Sequence, residues 1–229
     1  GSVLFKHTKD LGRGHLGAVD MVEPAGQQSH FPGKVYACKT LTIGHRQRGA
    51  AMVNELVRLE SARTLCHPHL PTVVMTYEED VGFHTLRYGI VMNPVAKYTL
   101  SSFLESSSNN DSTMRPLLGH VKKWIGCLSS ALSYVHAKDI LHRRIKPSSI
   151  LVENGEIFFT EFAISNHFKD THMLIKNDSD PNVGVDIYKA PEVEMQQSFG
   201  PKADIFSLAC VYIEMLATVS GTPLVELGE

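Results

Sequence analysis

The chain has 229 residues, 43% hydrophobic and 20% charged, with a formal net charge of -2. That balance suffices for one or two ordinary cores and excludes a disordered composition. So small a charge gives no global attraction to nucleic acid or to an anionic membrane surface, and neither is expected as a partner.

"GSVLF" at the start lacks the basic-then-apolar pattern of a signal peptide, and its Gly-Ser has the look of a cloning remnant. Residues 4–22 and 34–42 alternate apolar and polar positions with glycines between, which predicts strands. Residues 46–65 predict a helix with Met52, Leu56 and Leu59 on one stripe. "LPTVVMTYEED" and "RYGIVMNPV" predict two further strands, and the polar run 105–113 an exposed loop. From Val121 the period becomes helical through Trp124, Ile125, Leu128, Leu132 and Val135, ending near His136. "ILVENGEIFF" predicts a hairpin turning at Asn154-Gly155. "ADIFSLACVYIEMLAT" (203–218) is apolar nearly all round, as the central helix of a domain should be. No apolar run is expected to reach the ~18 residues that cross a bilayer. Cys38, Cys66, Cys127 and Cys210 form no CxxC and are read as reduced thiols of a cytoplasmic protein. Cys66-His67-Pro68-His69 lacks two further ligands at suitable spacing, so zinc is not expected. A mostly β half thus precedes a mostly α half, and two lobes with a cleft follow.

Within the first half, "LGRGHLGAV" places glycines at 12, 14 and 17 before Val19. It lies between two strands with no helix after it, which disfavours a dinucleotide fold. In a hairpin such glycines let backbone N–H groups approach phosphates closely. "VYACK" then sets Lys39 on a strand, where its ammonium can meet those phosphates. Taken singly, a flexible turn and a surface lysine explain these residues as well.

Taken in order they do more. The series Gly12/Gly14/Gly17/Val19, Ala37-Cys38-Lys39, His142-Arg143-Arg144-Ile145-Lys146-Pro147, Glu161-Phe162-Ala163, Ala190-Pro191-Glu192 and Asp204 resembles the eukaryotic protein kinase family over residues 4 to about 220. The resemblance implies an α+β, bilobal protein-kinase-like fold. Its β-rich N-lobe with one helix covers 4–93, and its helical C-lobe covers 94–220, ending after the central helix. It also implies an ATP or ADP pocket. Leu11, Val19, Ala37 and Leu151 would enclose the base, Met92 would be the gatekeeper, and Asn93 and Val95 would supply the hinge bonds. Lys39, partnered by Glu55, and Lys146 would hold the phosphates.

Four positions depart from the family pattern. Arg144 stands where the catalytic base, an Asp, is usual, and a guanidinium accepts no proton at working pH. Beside Lys146 it calls for an anion, either Glu161 or a nucleotide phosphate. Two unit charges ~4 Å apart interact by roughly 4 kcal/mol at an effective dielectric of 20. Ser149 replaces the Asn that holds a metal, and a hydroxyl is a weaker ligand than an amide carbonyl. Glu161 replaces the metal-binding Asp and can still reach a metal after a backbone adjustment, so magnesium is possible but not expected to be required. Ala163 replaces a glycine in the segment that moves in switching kinases. The expectation from these four is a pseudokinase and not an enzyme, acting as a scaffold, decoy or allosteric partner with weak nucleotide binding. The alternative is an atypical, low-activity protein serine/threonine kinase. An uncovered side of the apolar helix at 203–218 predicts a protein partner or self-association through the C-lobe.

Overall fold

The computed structural model describes residues 5–14, 17–25, 31, 34–43, 64–82, 85–108, 114–160, 187–195 and 200–221. The chain divides into two compact units, Gly1–Cys66 with Pro71–Val95, and His67–Leu70 with Ala96–Glu229. The expected helix at 46–65 lies outside the described residues except at its end, where Thr64 is helical.

The first unit is a five-stranded antiparallel sheet. Its strands are β1 (Phe5–Gly14), β2 (Gly17–Pro24), β3 (Tyr36–Ile43), β4 (Thr72–Gly82) and β5 (Thr85–Asn93), ordered β1-β2-β3-β5-β4. Alternation along the strands gives this sheet two different faces. Val22, Tyr36, Cys38 and Val91 form a buried cluster on one, with Phe5, Phe31, Met75 and Tyr77 packed against it. Phe31 lies 4.9 Å from the Phe5 ring and 6.1 Å from that of Tyr36. Gly89 belongs to this face for a steric reason, since a Cβ there would lie 2.0 Å from Cε1 of Tyr77. The Tyr77 hydroxyl reaches Cys38 Sγ at 3.5 Å, and burial pushes both the phenol and the thiol up.

The second unit is built on two long helices. After the short strand β6 (Tyr98–Thr99) come α1 (Leu100–Ser108) and α2 (Met114–His136). Val121, Trp124, Leu128, Ala131, Leu132 and Val135 of α2 are buried, one stripe at helical spacing. Ile125, expected on that stripe, is half-buried. The polar run 105–113 is not all loop, because Glu105–Ser108 continue α1; residues 109–113 lie outside the described ones. Strands β7 (Ile150–Glu153) and β8 (Glu156–Phe159) pair with β6 in the order β6-β7-β8. Their turn is Asn154-Gly155, with φ of 51° and 77°, the left-handed pair that the twist of a two-residue hairpin demands. Trp124 Nε1 donates to the Gly155 carbonyl at 2.9 Å, locking the turn onto α2.

The one-turn helix α3 (Pro191–Glu194) and the helix α4 (Pro201–Ser220) complete the unit. Pro201 opens α4 in its first turn and Gly221, with φ 69°, closes it. Ala203, Asp204, Ser207, Leu208, Val211, Met215 and Ala217 of α4 are buried. Ile205, Phe206, Ile213 and Leu216 are exposed, Ile205 by 56%. Against expectation, α4 is long and apolar enough to cross a bilayer by length and composition, with a mean hydropathy of 1.5. Its few charges do not outweigh the run of large apolar residues. The buried half of the helix serves as core in this unit.

Candidate active site

In the sheet unit, strand register alone places the side chains. Gly14 pairs with Gly17 and Gly12 with Val19, so the glycines do sit at the closed end of a hairpin with no helix after it. Val19 pairs with Lys39, and Lys39 with Ile90. Two positions along, Met21 pairs with Ala37 and Ala37 with Met92. Directly opposed residues share a face, and so do residues two apart. Val19, Ala37, Lys39 and Met92 are therefore on one face, opposite the face of Tyr36 and Cys38. An ammonium flanked by small and β-branched apolar residues can offer a flat base a surface and its phosphates a charge. Leu11 on β1 is 37% exposed, and Asn93 and Val95 end this unit.

In the helical unit, hydrogen bonds place the loop 141–149. Its anchor is Asp204 of α4, fully buried. One carboxylate oxygen accepts from the Arg143 amide at 2.7 Å. The other accepts from the His142 amide at 2.8 Å and from His136 Nε2, at the end of α2, at 2.9 Å. A buried carboxylate is tolerable only with its lone pairs used in this way. Arg143 takes a left-handed φ of 65°, and the His142 ring stands edge-on to Phe159 at 5.1 Å. The Arg144 amide donates to His142 Nδ1 at 3.3 Å.

Ser149 closes the loop from the other side and is fully buried. Its hydroxyl accepts from the Lys146 amide at 3.1 Å and faces the carbonyls of Arg144 at 2.7 Å and Lys146 at 2.9 Å. A serine has one proton and two lone pairs, so this loop takes up the proton and one lone pair. Ser149 thus acts first as a brace for the residues at 144 and 146, with little left for a metal. Leu151 on β7 pairs with Thr99 and Phe158. Glu55, Glu161 and Ala163 lie outside the described residues, and so does the partner Glu161 was expected to make with Arg144.

Two further elements escaped the sequence reading. His136 carries no motif, yet it holds the loop's anchor. The Tyr188 hydroxyl donates to Glu214 at 2.5 Å, while Ser207 donates to the Tyr188 carbonyl at 2.6 Å. Burial pushes the Glu214 carboxyl up, against the opposing pull of the Tyr188 bond. The available signal was a carboxylate inside an apolar run, Asp204 and Glu214 in "ADIFSLACVYIEML", which buried helices seldom carry without a partner.

The protein kinase domain family matches residues 5–225. The serine/threonine-protein kinase shk2 of Schizosaccharomyces pombe is 25% identical over 215 residues, 93% of this chain and 33% of that protein. The serine/threonine-protein kinase CLA4 of Saccharomyces cerevisiae is 24% identical over 238 residues, 94% of this chain and 26% of that protein. The mitogen-activated protein kinase kinase kinase MST11 of Pyricularia oryzae is 39% identical over 101 residues, 42% of this chain and 11% of that protein. The chain thus spans a third or less of the length of these relatives. These matches overturn the expectation that the chain is not an enzyme, since the proteins it is similar to are named as kinases. The physical reason lies in the reaction. Phosphoryl transfer rests on positioning and charge stabilisation more than on covalent work by the protein, so an arginine at 144 is not by itself ground for excluding the chemistry.

Proposed function

Because the chain belongs to the protein kinase family, we propose that it is an atypical, slow protein serine/threonine kinase, passing a phosphoryl group from ATP to a Ser or Thr hydroxyl. The observation that carries this reading is the sheet face on which Lys39 stands between Val19, Ala37 and Met92, beside the glycine hairpin. ATP supplies the phosphoryl group, and magnesium, held by Glu161, would supply charge neutralisation. Backbone N–H groups of the hairpin and the Lys39 ammonium bind the phosphates. Arg144 and Lys146, on the loop of the helical unit, would add positive charge for the transferring oxygens. That charge lowers the dependence on magnesium, which Ser149 serves poorly while it braces the loop.

The cost is the missing base. General-base catalysis contributes about 10²–10⁴ in rate, so turnover should fall by that factor from the 1–100 s⁻¹ usual for kinases, roughly. Incorporation of labelled phosphate into a generic Ser/Thr substrate tests the reading. Slow incorporation that is abolished in Lys39→Ala and raised in Arg144→Asp is expected. Incorporation no greater than in Lys39→Ala, across a magnesium titration, overturns it.

A further inference from the structure

Residues His67–Leu70 belong to the helical unit although the chain on either side belongs to the sheet unit. Three hydrogen bonds tie them to α2 and β8, and a further one lies within the segment. His67 Nε2 lies 3.2 Å from Ser130 Oγ on α2, and His69 Nδ1 lies 2.9 Å from the Ile157 carbonyl on β8. The Phe159 amide donates to the His69 carbonyl at 3.0 Å. The His69 amide donates to His67 Nδ1 at 3.2 Å. This last bond decides the tautomer of His67, because Nδ1 accepts and the single ring proton must sit on Nε2, facing Ser130.

A second proton can enter the His67 ring only at Nδ1. It would turn the acceptor into a donor aimed at another donor, and the His69 amide would lose its partner. His69 differs, since its Nδ1–H donates to a carbonyl and a proton at Nε2 breaks none of the bonds named here. The titratable groups around His67 are His69, with ring centroids 5.7 Å apart, Cys66, and Tyr134 of α2, with centroids 5.3 Å apart. Lys138 Nζ lies 5.1 Å from the Tyr134 centroid. None of these groups is a carboxylate, so none offers an imidazolium a counter-charge. Burial first, and then the charge of His69, hold His67 below the usual imidazole range.

We propose that His67 is a proton-operated latch that, when neutral, holds the His69 amide and with it the turn of the 67–70 segment and, when protonated at Nδ1, releases that amide while its Nε2–H keeps its place at Ser130. The inference is independent of the kinase reading, and no part of its test reads activity. The sign follows from the lowered folded value. The unfolded or released state takes up the proton first, so the latch is intact above the ordinary imidazole range near pH 6.5. It weakens as the pH falls from there through the lower folded value. What is freed is the His69 amide, while the His69 ring and carbonyl keep their bonds to β8.

Hydrogen-exchange protection at the His69 amide, corrected for the intrinsic rate, is the readout. Between pH 7.5 and 5.5, protection in the unaltered chain should fall by roughly threefold or more. In His67→Asn the amide side chain still offers an acceptor near the Nδ1 position but cannot titrate, so protection there should stay level. A pH response in His67→Asn equal to that of the unaltered chain overturns the proposal. Ring ¹⁵N spectra of the unaltered chain give a second measurement that needs no variant. Nδ1 unprotonated at pH 7.5, and gaining its proton as protection falls, supports the latch. Nδ1 protonated at pH 7.5, or protection unchanged while His67 titrates, sinks it.

Discussion

The two units hold their candidate residues by different physics. In the sheet unit, Val19, Ala37, Lys39 and Met92 share a face because strand pairing leaves them no other place. In the helical unit, the loop at 141–149 has no regular structure before its one short turn, and it is tied down by Asp204 from above and Ser149 from within. A site placed by register is robust to single side-chain loss, because backbone hydrogen bonds maintain it. A site placed by buried polar groups is not, because each group removed leaves partners without water or protein to bond.

The sharpest way to break this comparison is at Asp204. Asp204→Ala leaves the His142 and Arg143 amides and His136 without their shared acceptor in a buried place. A loss of about 3–5 kcal/mol is expected, the range for breaking a buried charged group away from its partners. Urea denaturation followed by circular dichroism reads it. Asp204→Asn retains one oxygen and should cost clearly less. Equal losses for the two would show that carboxylate charge, not acceptor count, anchors the loop.

In the sheet unit the largest response should come from shape. Gly89→Ala places a Cβ against the Tyr77 ring, which must swing off the strand and leave Cys38. About 1–3 kcal/mol is expected, the usual range for overpacking. Gly89→Ala in a Tyr77→Ala background should recover part of that loss, and the double-mutant cycle measures the part due to the ring. By contrast, Lys39→Ala should leave stability within about 0.5 kcal/mol, as for an ordinary surface substitution, and act only on the proposed phosphate binding.

Ser149→Ala tests the brace. The Lys146 amide loses its acceptor and the hydroxyl's donation to the loop carbonyls goes with it. A loss of about 1–2 kcal/mol is expected. If Ser149 were only a remnant of a metal position, stability would not change and magnesium dependence alone would move.

The same contrast explains what the sequence could and could not say. Hydrophobic periodicity predicts the end of α2 near His136, alternation predicts the strand that carries Lys39, and Asn154-Gly155 predicts its turn by the backbone it requires. These features depend on neighbours in sequence or on pairing that alternation dictates. The network around Asp204 joins residues 61 to 68 positions apart, and no local pattern encodes such a meeting. Helix α1 was missed in part because "ESSS" has poor helix propensity, and packing overrides it: Leu100 and Leu104 of α1 are buried. The enzyme reading failed for a different reason. Arg144 was weighed as though one proton acceptor decided the reaction, when several groups share the stabilisation.

The smallest expected effect concerns Tyr188 and Glu214, and its pH dependence gives it a signature. Burial raises the Glu214 carboxyl above its ordinary 4.5, and the Tyr188 hydroxyl partly offsets this by bonding the ionised form. A carboxylate with a raised folded value favours the native state fully below 4.5, and that advantage disappears as the pH rises through the folded value. Tyr188→Phe removes the hydroxyl that eases ionisation. The Glu214 value should therefore rise further, and the variant should lose about 1 kcal/mol or less at pH 7.5, since both side chains are only half-buried. Near pH 4, where Glu214 is protonated in both states, the loss should shrink. Glu214→Gln should remove this pH dependence and make Tyr188→Phe equally costly at both pH values. Denaturation midpoints at pH 4 and 7.5 for the two variants and their combination decide the matter. A Tyr188→Phe loss that is the same at both pH values with Glu214 intact would mean that the hydroxyl serves packing and not the charge.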